Sequence, residues 1–422
     1  MSKNRASLSK FTVMKMKRLI VIFTFLACFI NLQAQELISD AHFQRGLTIL
    51  NPTTGAVQGN IQWTTENGSP IWECGQWSSK STLAGLAADT LTSGWMQWAN
   101  ADKIVRMGPT GAENYDLYLG MDSNHEYGGV YRTANDPWPA LLVQQRISPP
   151  GSFGPGCLPL SQLSALNFHV EAKLDTAQII KKYGYNSGIH AAQFLIYFTV
   201  QNLNHSSSGY GHLLWLGVQV YDDRYPKPPK YVNLDPGTSS MIYSMPYEDV
   251  ADTSMHSGKW VTFQANLLPH AIDALHAAWS RGYLLESKNL ADYKIGGMNM
   301  GWEMPGLNYA AVKVRNLSLV AEAKTAVERK SKKVPTHFKL LYNYPNPFNA
   351  STIILYELEH TAQVKLAINN LSGRQVALLE DGEQNPGRHH VVWNARHLST
   401  GVYQCILQVG NERQVHKLLL LK

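Results

Sequence analysis

The segments QFLIYFTVQN (193–202) and HLLWLGVQVYD (212–222) alternate apolar and polar residues with period two, the signature of half-buried strands. In the first, Phe194, Ile196, Phe198 and Val200 turn toward a core, and Gln193, Tyr197, Thr199 and Gln201 turn away. In the second, Leu214, Leu216, Val218 and Val220 turn inward, with Trp215, Gln219 and Tyr221 outward. The turn-like run from Asn204 to Gly209 between them predicts a hairpin. Tyr197, Thr199, Gln201, Trp215, Gln219 and Tyr221 then share one face of one sheet, rich in aromatic planes and amides and poor in charge. Such a face suits a sugar, whose apolar C–H faces stack on Trp and Tyr while its hydroxyls need amide and hydroxyl partners. These six are the candidate ligand-binding residues. The competing reading is that a second layer covers the face and makes Trp215 and Tyr197 ordinary core.

Outward from this hairpin the pattern stays β. Leu166 to Leu174 alternates as a strand, and a closing strand is expected over 311–320. One helix interrupts, LPHAIDALHAAWSR at 268–281, with Leu268, Ile272, Leu275 and Trp279 on its apolar stripe and His270, Asp273 and His276 on its solvated side. Trp72, Trp77, Trp138 and Trp302 stand in expected loops, as platforms or as packing. The large segment therefore predicts an all-β jelly-roll sandwich with one late helix. It resembles secreted concanavalin-like glycan-binding and glycan-cleaving modules in architecture, without a diagnostic motif, so no catalytic residue follows from the resemblance.

For glycoside cleavage two carboxyls must face each other across a cleft. The acids near the proposed face are Glu171, Asp222, Asp223 and Glu303, and only Glu171 is expected mid-strand. A lyase would need a base beside a uronate-neutralising group, for which His169, Tyr197, Gln201 and Arg224 are the candidates. Asp122, Asn124 and Glu126 alternate as oxygen ligands do in a Ca²⁺ loop, but the glycine and terminal bidentate Glu of an EF-hand are missing, and a polar turn is the simpler reading. No serine-hydrolase, zincin or phosphate-loop motif is present.

Of the 422 residues, 44% are hydrophobic and 16% charged, enough apolar content for packed cores in more than one domain. The formal charge of +6 comes from the first 34 residues, which hold Lys3, Arg5, Lys10, Lys15, Lys17 and Arg18 and no acid. What remains is near neutral and shows no basic aromatic face, which argues against a nucleic-acid partner. Lys15 to Arg18, the apolar run Leu19–Leu32 and the small Ala34 read as a signal peptide over 1–34. The run is too short to span a bilayer, and no later segment is apolar enough to be a transmembrane helix. Cys28 sits in a loose lipoprotein-like context, so a lipid anchor is the alternative. Three cysteines follow, Cys74, Cys157 and Cys405. The first two are either bridged or simply buried, and no zinc-ligand cluster accompanies them.

AEAKTAVERKSKKVP (321–335) is charged and free of aromatics, a hydrophilic linker between a cargo domain at 35–320 and a C-terminal domain at 336–422. The latter alternates over 351–358, 364–368, 375–379, 389–393, 401–409 and 414–421, with glycines between, as a small immunoglobulin-like β-sandwich. NYPNPFN at 343–349, LSGR at 371–374, GVY at 401–403 and KLLLLK at 417–422 appear in an order that closely resembles the C-terminal sorting domain of type IX (Por) secretion substrates. The resemblance implies export by the type IX machinery, a secreted or outer-surface location, and nothing about cargo chemistry. The resulting expectation is an exported polysaccharide-binding protein, with a polysaccharide hydrolase or lyase and a structural adhesion protein as the alternatives.

Overall fold

Period-two alternation builds two sheets whose apolar faces meet. The computed structural model describes residues 34–235, 238–324, 338–410 and 412–422. The expected signal peptide lies outside them except for Ala34, as does the expected linker beyond residue 324. The chain divides into two compact units at Ala326 and Val327.

In the larger unit, one sheet has nine strands. Their spatial order is Tyr231–Leu234, Met241–Ser244, Leu213–Asp222, Gln193–Asn202, Tyr293–Glu303, Ala140–Arg146, Trp72–Gly75, Leu47–Leu50 and Val57–Ile61. Neighbours run antiparallel, except that Leu213–Asp222 lies parallel to Met241–Ser244 and Leu47–Leu50 parallel to Trp72–Gly75. An eight-stranded sheet packs against it. Its order is Val261–Asn266, Leu163–Ile179, Asn308–Ala323, Leu117–Asp122, Lys103–Met107, Met96–Ala99 and Asp89–Thr90, and Ala34–Glu36 pairs with Asn308–Ala323.

The two inner faces form one continuous core. Phe168 of the eight-stranded sheet meets Phe198 of the nine-stranded sheet edge-on at 5.4 Å, and the buried Trp302 indole donates to Leu119 O at 2.9 Å. Each such fully buried large side chain contributes about 1.5–3 kcal/mol relative to exposure. Cys74 and Cys157 are both free and buried, so they serve as small hydrophobes, and burial pushes their thiols up to about 12 and about 11.

The architecture is the expected all-β sandwich with one late helix. That helix spans Leu267–Ser280 and is capped by Asn266, whose side chain accepts from Leu268 N. Its buried stripe is Leu267, Leu268, Ala271, Ala274, Leu275 and Ala278, with Ile272 and Trp279 only half-buried. Alanine, having little to bury, was overlooked as an inward residue, yet it lets the helix approach the sheets closely. His270 is accordingly not solvated: its side chain is 14% exposed and lies 4.0 Å from Asp249. The closing strand also outruns expectation, covering Asn308–Ala323 and absorbing the first three residues assigned to the linker.

The smaller unit is a seven-stranded sandwich among its described residues. Phe338–Tyr344, Ser351–Leu358 and Gly387–Asn394 form one sheet, and Gln375–Gln384, Ala362–Asn370, Gly401–Val409 and Glu412–Leu420 the other. Gly373 and Gly410 take left-handed turns at φ 81° and 58°, which a side chain would strain. Asn346 accepts from Leu419 N at 2.8 Å and donates to Lys417 O at 3.1 Å, while Phe348 N donates to Leu419 O at 2.9 Å. The Asn-Tyr-Pro-Asn-Pro-Phe-Asn segment and the terminal leucine-rich strand are thus one hydrogen-bonded structure, sealed by Leu418, Leu420 and Phe348 in the core.

Candidate functional site

The face of the nine-stranded sheet turned away from the core carries an unbroken row, one residue from each strand. In register it reads Asn60, Thr48, Glu73, Gln144, Asn299, Tyr197, Gly217, Ser244 and Tyr231. At the ~4.8 Å spacing of neighbouring strands the row is about 38 Å long. No member is aliatic beyond glycine, and all but Gly217 and Ser244 are solvent-accessible in part. Those two lie under the Tyr197 ring: a Cβ on Gly217 would stand 2.7 Å from that ring and 2.5 Å from Ser244 Oγ. The same device recurs at Gly75, where a Cβ would meet the Trp77 indole at 2.7 Å, and at Gly296, where it would meet Thr199 Oγ1 at 2.7 Å. Glycines in these strands let side chains lie flat on the sheet.

Five of the six expected residues are on this face. Tyr197 and Thr199 oppose Gly217 and Trp215, and the Tyr197 and Trp215 rings meet edge-on at 5.9 Å. The Trp215 indole donates to Thr238 Oγ1 at 3.4 Å, and Thr238 in turn donates to Asp235 at 2.5 Å. Gln201 is half-buried and donates to Gly211 O. Gln219 lies on the face but is 7% exposed, its amide donating to Pro229 O at 2.7 Å, so a loop closes over it. Tyr221 is a correction. The register shifts between Phe194 and Leu195, whose partners are Tyr221 and Gln219, and the extra residue Val220 is a β-bulge. The bulge turns Tyr221 to the inner side, where it packs on Trp302 at 5.9 Å with 2% exposure.

Glu303 is the acid that sequence reasoning placed in a loop. It ends the strand Tyr293–Glu303, points to the outer face, and accepts from the Trp138 indole at 3.2 Å. Burial pushes its carboxyl up to about 6, against the Trp138 hydrogen bond, with a smaller upward push from Asp235. Its partners in register are Gln193 on one side and Ala140 on the other, neither an acid. Gln193 donates onward to Asp222, which is 2% exposed and clamped by Arg224 at 2.6 Å. Burial also raises the Tyr197 phenol, with Glu303's charge pushing the same way. Glu73, on the row itself, accepts from Gln144 at 2.9 Å. Neither Glu73 nor Gln144 was anticipated, since only the strand order brings them into line with Tyr197.

The remaining expected residues lie elsewhere. His169 and Glu171 are on Leu163–Ile179 in the other sheet, where Glu171 pairs with Arg315 at 2.6 Å, so neither joins Tyr197 in a lyase-like cluster. The three residues weighed as calcium ligands are engaged separately. Asp122, Asn124 and Glu126 stand on or before a short helix, Ser123–Glu126, that Asp122 caps through His125 N. Glu126 turns inward to the fully buried Lys103 at 3.6 Å and accepts from Ser79 Oγ. Among the described residues no cluster of three His, Cys, Asp or Glu could hold a metal.

Residues 343–421 match the family described as a secretion system C-terminal sorting domain. The smaller unit is such a domain, of the type IX kind, and directs the chain to the cell surface or the extracellular space. Among the described residues no helix is long and apolar enough to cross a membrane. No curated protein sequence matches the chain. Among solved structures, the endoglucanase Cel12A of Rhodothermus marinus is 10% identical at a TM-score of 0.30, covering 60% of this chain and all of its own. The family 11 xylanase of Neocallimastix patriciarum is 8% identical at 0.28, covering 58% of this chain and 97% of its own.

Proposed function

We propose that the larger unit binds an extended polysaccharide laid across the strands of its nine-stranded sheet. The observation that carries this reading is the nine-residue row of amides, hydroxyls, a carboxylate and aromatic rings, open along most of its length. A globular core face would be aliphatic and covered, and a charged ligand would call for a row of one sign. Rings lying flat on glycine offer the stacking planes that pyranose faces need, and the amides beside them supply directional partners for hydroxyls.

Hydrolysis is the second reading, favoured by Glu303, whose pKa of about 6 suits a general acid. It is the weaker one because Glu303 is flanked in register by Gln193 and Ala140, Asp222 beyond Gln193 is locked to Arg224, and Asp235, whose charge reaches Glu303, is engaged by Thr238. Retaining and inverting mechanisms both need a second free carboxyl. Lyase chemistry is weaker still, since burial moves Tyr197 away from the pKa of a useful base.

The test is retention of the secreted chain on a panel of insoluble and soluble polysaccharides, with reducing ends and unsaturated uronates assayed on each. Retention that strengthens with chain length and falls at least tenfold in Trp215→Ala, about 1.4 kcal/mol, is expected. Product release would replace binding by catalysis, and retention indifferent to Trp215 would remove the face from the function.

A further inference from the structure

Beside the row, a second concavity of about 320 Å³ is lined by residues that include Ser78, Tyr131, Arg132, Asp136 and Pro137. That volume lies at the lower end of the ~300–1,000 Å³ typical of small-molecule sites. Two loops tie it to the sugar face. Ser78 follows Trp77, Pro137 and Pro139 flank Trp138, and Ala140 N donates to Trp77 O at 2.9 Å.

Arg132 gives this pocket its chemistry. It is 7% exposed, and its guanidinium stands 5.0 Å from the centre of the Trp138 ring. Nε donates to Asp136 O at 3.1 Å, Nη1 to Ile189 O at 3.2 Å and Nη2 to Ala134 O at 3.4 Å. All three acceptors are neutral carbonyls, which leaves two of the five N–H groups unused. Among the described residues no carboxylate stands within ion-pair distance of the guanidinium. Of the acids that line the pocket, Glu126 is engaged with Lys103 and Ser79, and Asp136 accepts from Thr133 N at 2.7 Å, which together with the more distant charge of Arg132 holds its carboxyl below the ordinary value. A buried guanidinium that forms no ion pair is costly, and its planar fork is suited to recognising an oxyanion with two N–H groups at once.

Resting on the polysaccharide reading of the adjoining face, we propose that this pocket takes a single branch sugar bearing a carboxylate or sulfate, held through Arg132. The aromatic and proline walls would lie along the sugar ring, and Ser78 would meet a hydroxyl. The main chain of the polymer would stay on the row of amides, hydroxyls and rings, so the preferred ligand is a branched polysaccharide with acidic side groups.

The experiment is saturation-transfer NMR on the secreted chain with glucuronate, glucose 6-sulfate and glucose as probes. At least one anionic sugar should bind tenfold or more tightly than glucose, and Arg132→Gln should abolish that preference. A preference for glucuronate identifies the carboxylate, and one for the 6-sulfate identifies the ester. Because Arg132 is buried, Lys80→Gln at the exposed rim provides a second variant, expected to weaken the anionic sugar about threefold and leave glucose unchanged. Equal binding of all three sugars, or a preference that survives both substitutions, overturns the proposal. Retention on an unbranched neutral polysaccharide, and its loss in Trp215→Ala, reads the face alone, so either idea can fail while the other stands.

Discussion

Replacing Glu303 by glutamine should stabilise the larger unit at pH 8 and change little at pH 4. Burial, helped by the charge of Asp235, pushes this carboxyl from its ordinary 4.5 up to about 6, so the fold favours the protonated form. The stability contributed by this group is fully present below pH 4.5 and is lost as pH rises through about 6, because above that value the folded state must hold a desolvated carboxylate. The difference between the two pKa values corresponds to about 2 kcal/mol. Glutamine has the same shape, keeps an oxygen to accept the Trp138 N–H, and has no charge to desolvate. For a unit of this size about 2 kcal/mol appears as a rise in Tm of about 5 °C. Thermal unfolding followed by near-ultraviolet circular dichroism reports mainly on the larger unit, because of the tryptophans only Trp393 lies in the smaller one. The difference between variant and parent should open between about pH 4 and 7 and then level off. Parallel melting curves across that range, or a variant less stable at pH 8, would refute the assignment of Glu303 as a strained acid on the outer sheet face.

Three further substitutions probe other parts of the molecule. Glu126→Gln removes the ion-pair partner of buried Lys103 and should cost about 3 kcal/mol in urea unfolding, whereas a loss below about 1 kcal/mol would mean that the three serine contacts and the charge of Asp102 suffice. Gly217→Ala puts a methyl 2.7 Å from the Tyr197 ring and should lower polysaccharide affinity about tenfold with the near-ultraviolet spectrum retained, so unchanged affinity would exclude Tyr197 from the site. Asn346→Ala removes two hydrogen bonds to the terminal strand and should cost the smaller unit about 1–3 kcal/mol, with less exported chain in the medium, and full export would separate this junction from sorting.

The hairpin at Gln193–Asp222 was legible because period two carries a strand's faces directly, and Tyr197, Thr199 and Trp215 stand where that period puts them. The same rule misplaced Tyr221. Nothing in Gly217-Val218-Gln219-Val220-Tyr221-Asp222 marks which residue the ladder will leave unpaired, since a bulge is chosen by the neighbouring strand and by the space beside Trp302. The helix was placed to within one residue at either end, yet its buried face was drawn from large side chains alone and so left out three alanines. The sorting domain was the most legible part. Its motifs hold the chain to itself, Asn346 to Leu419 and Phe348 to Leu419, so its sequence is constrained by local structure that does not depend on the cargo.

The row was illegible for a different reason: its members come from nine strands scattered between Thr48 and Asn299, and only the strand order brings them together. That order also sorts the charges. Along the row Glu73 accepts from Gln144, and beside it Glu303 accepts from the Trp138 indole, so the face presents hydrogen-bonding groups and rings with few charges. Arg132, over the face of the same Trp138 ring, forms no ion pair among the described residues, and its charge only helps Thr133 hold the Asp136 carboxyl below its ordinary value. Trp138 thus touches both Glu303 on the sheet face and Arg132 in the pocket. Salt separates the two: at 0.15 M the Debye length is about 8 Å, so attraction of an anionic branch is damped as salt rises while stacking and amide contacts are not. Affinity for a neutral unbranched polymer should stay level from 0.05 to 0.5 M NaCl, and the added affinity for an acidic branched one should decline over the same range. A neutral polymer whose binding fell as steeply would show that the row does not hold its ligand by uncharged contacts.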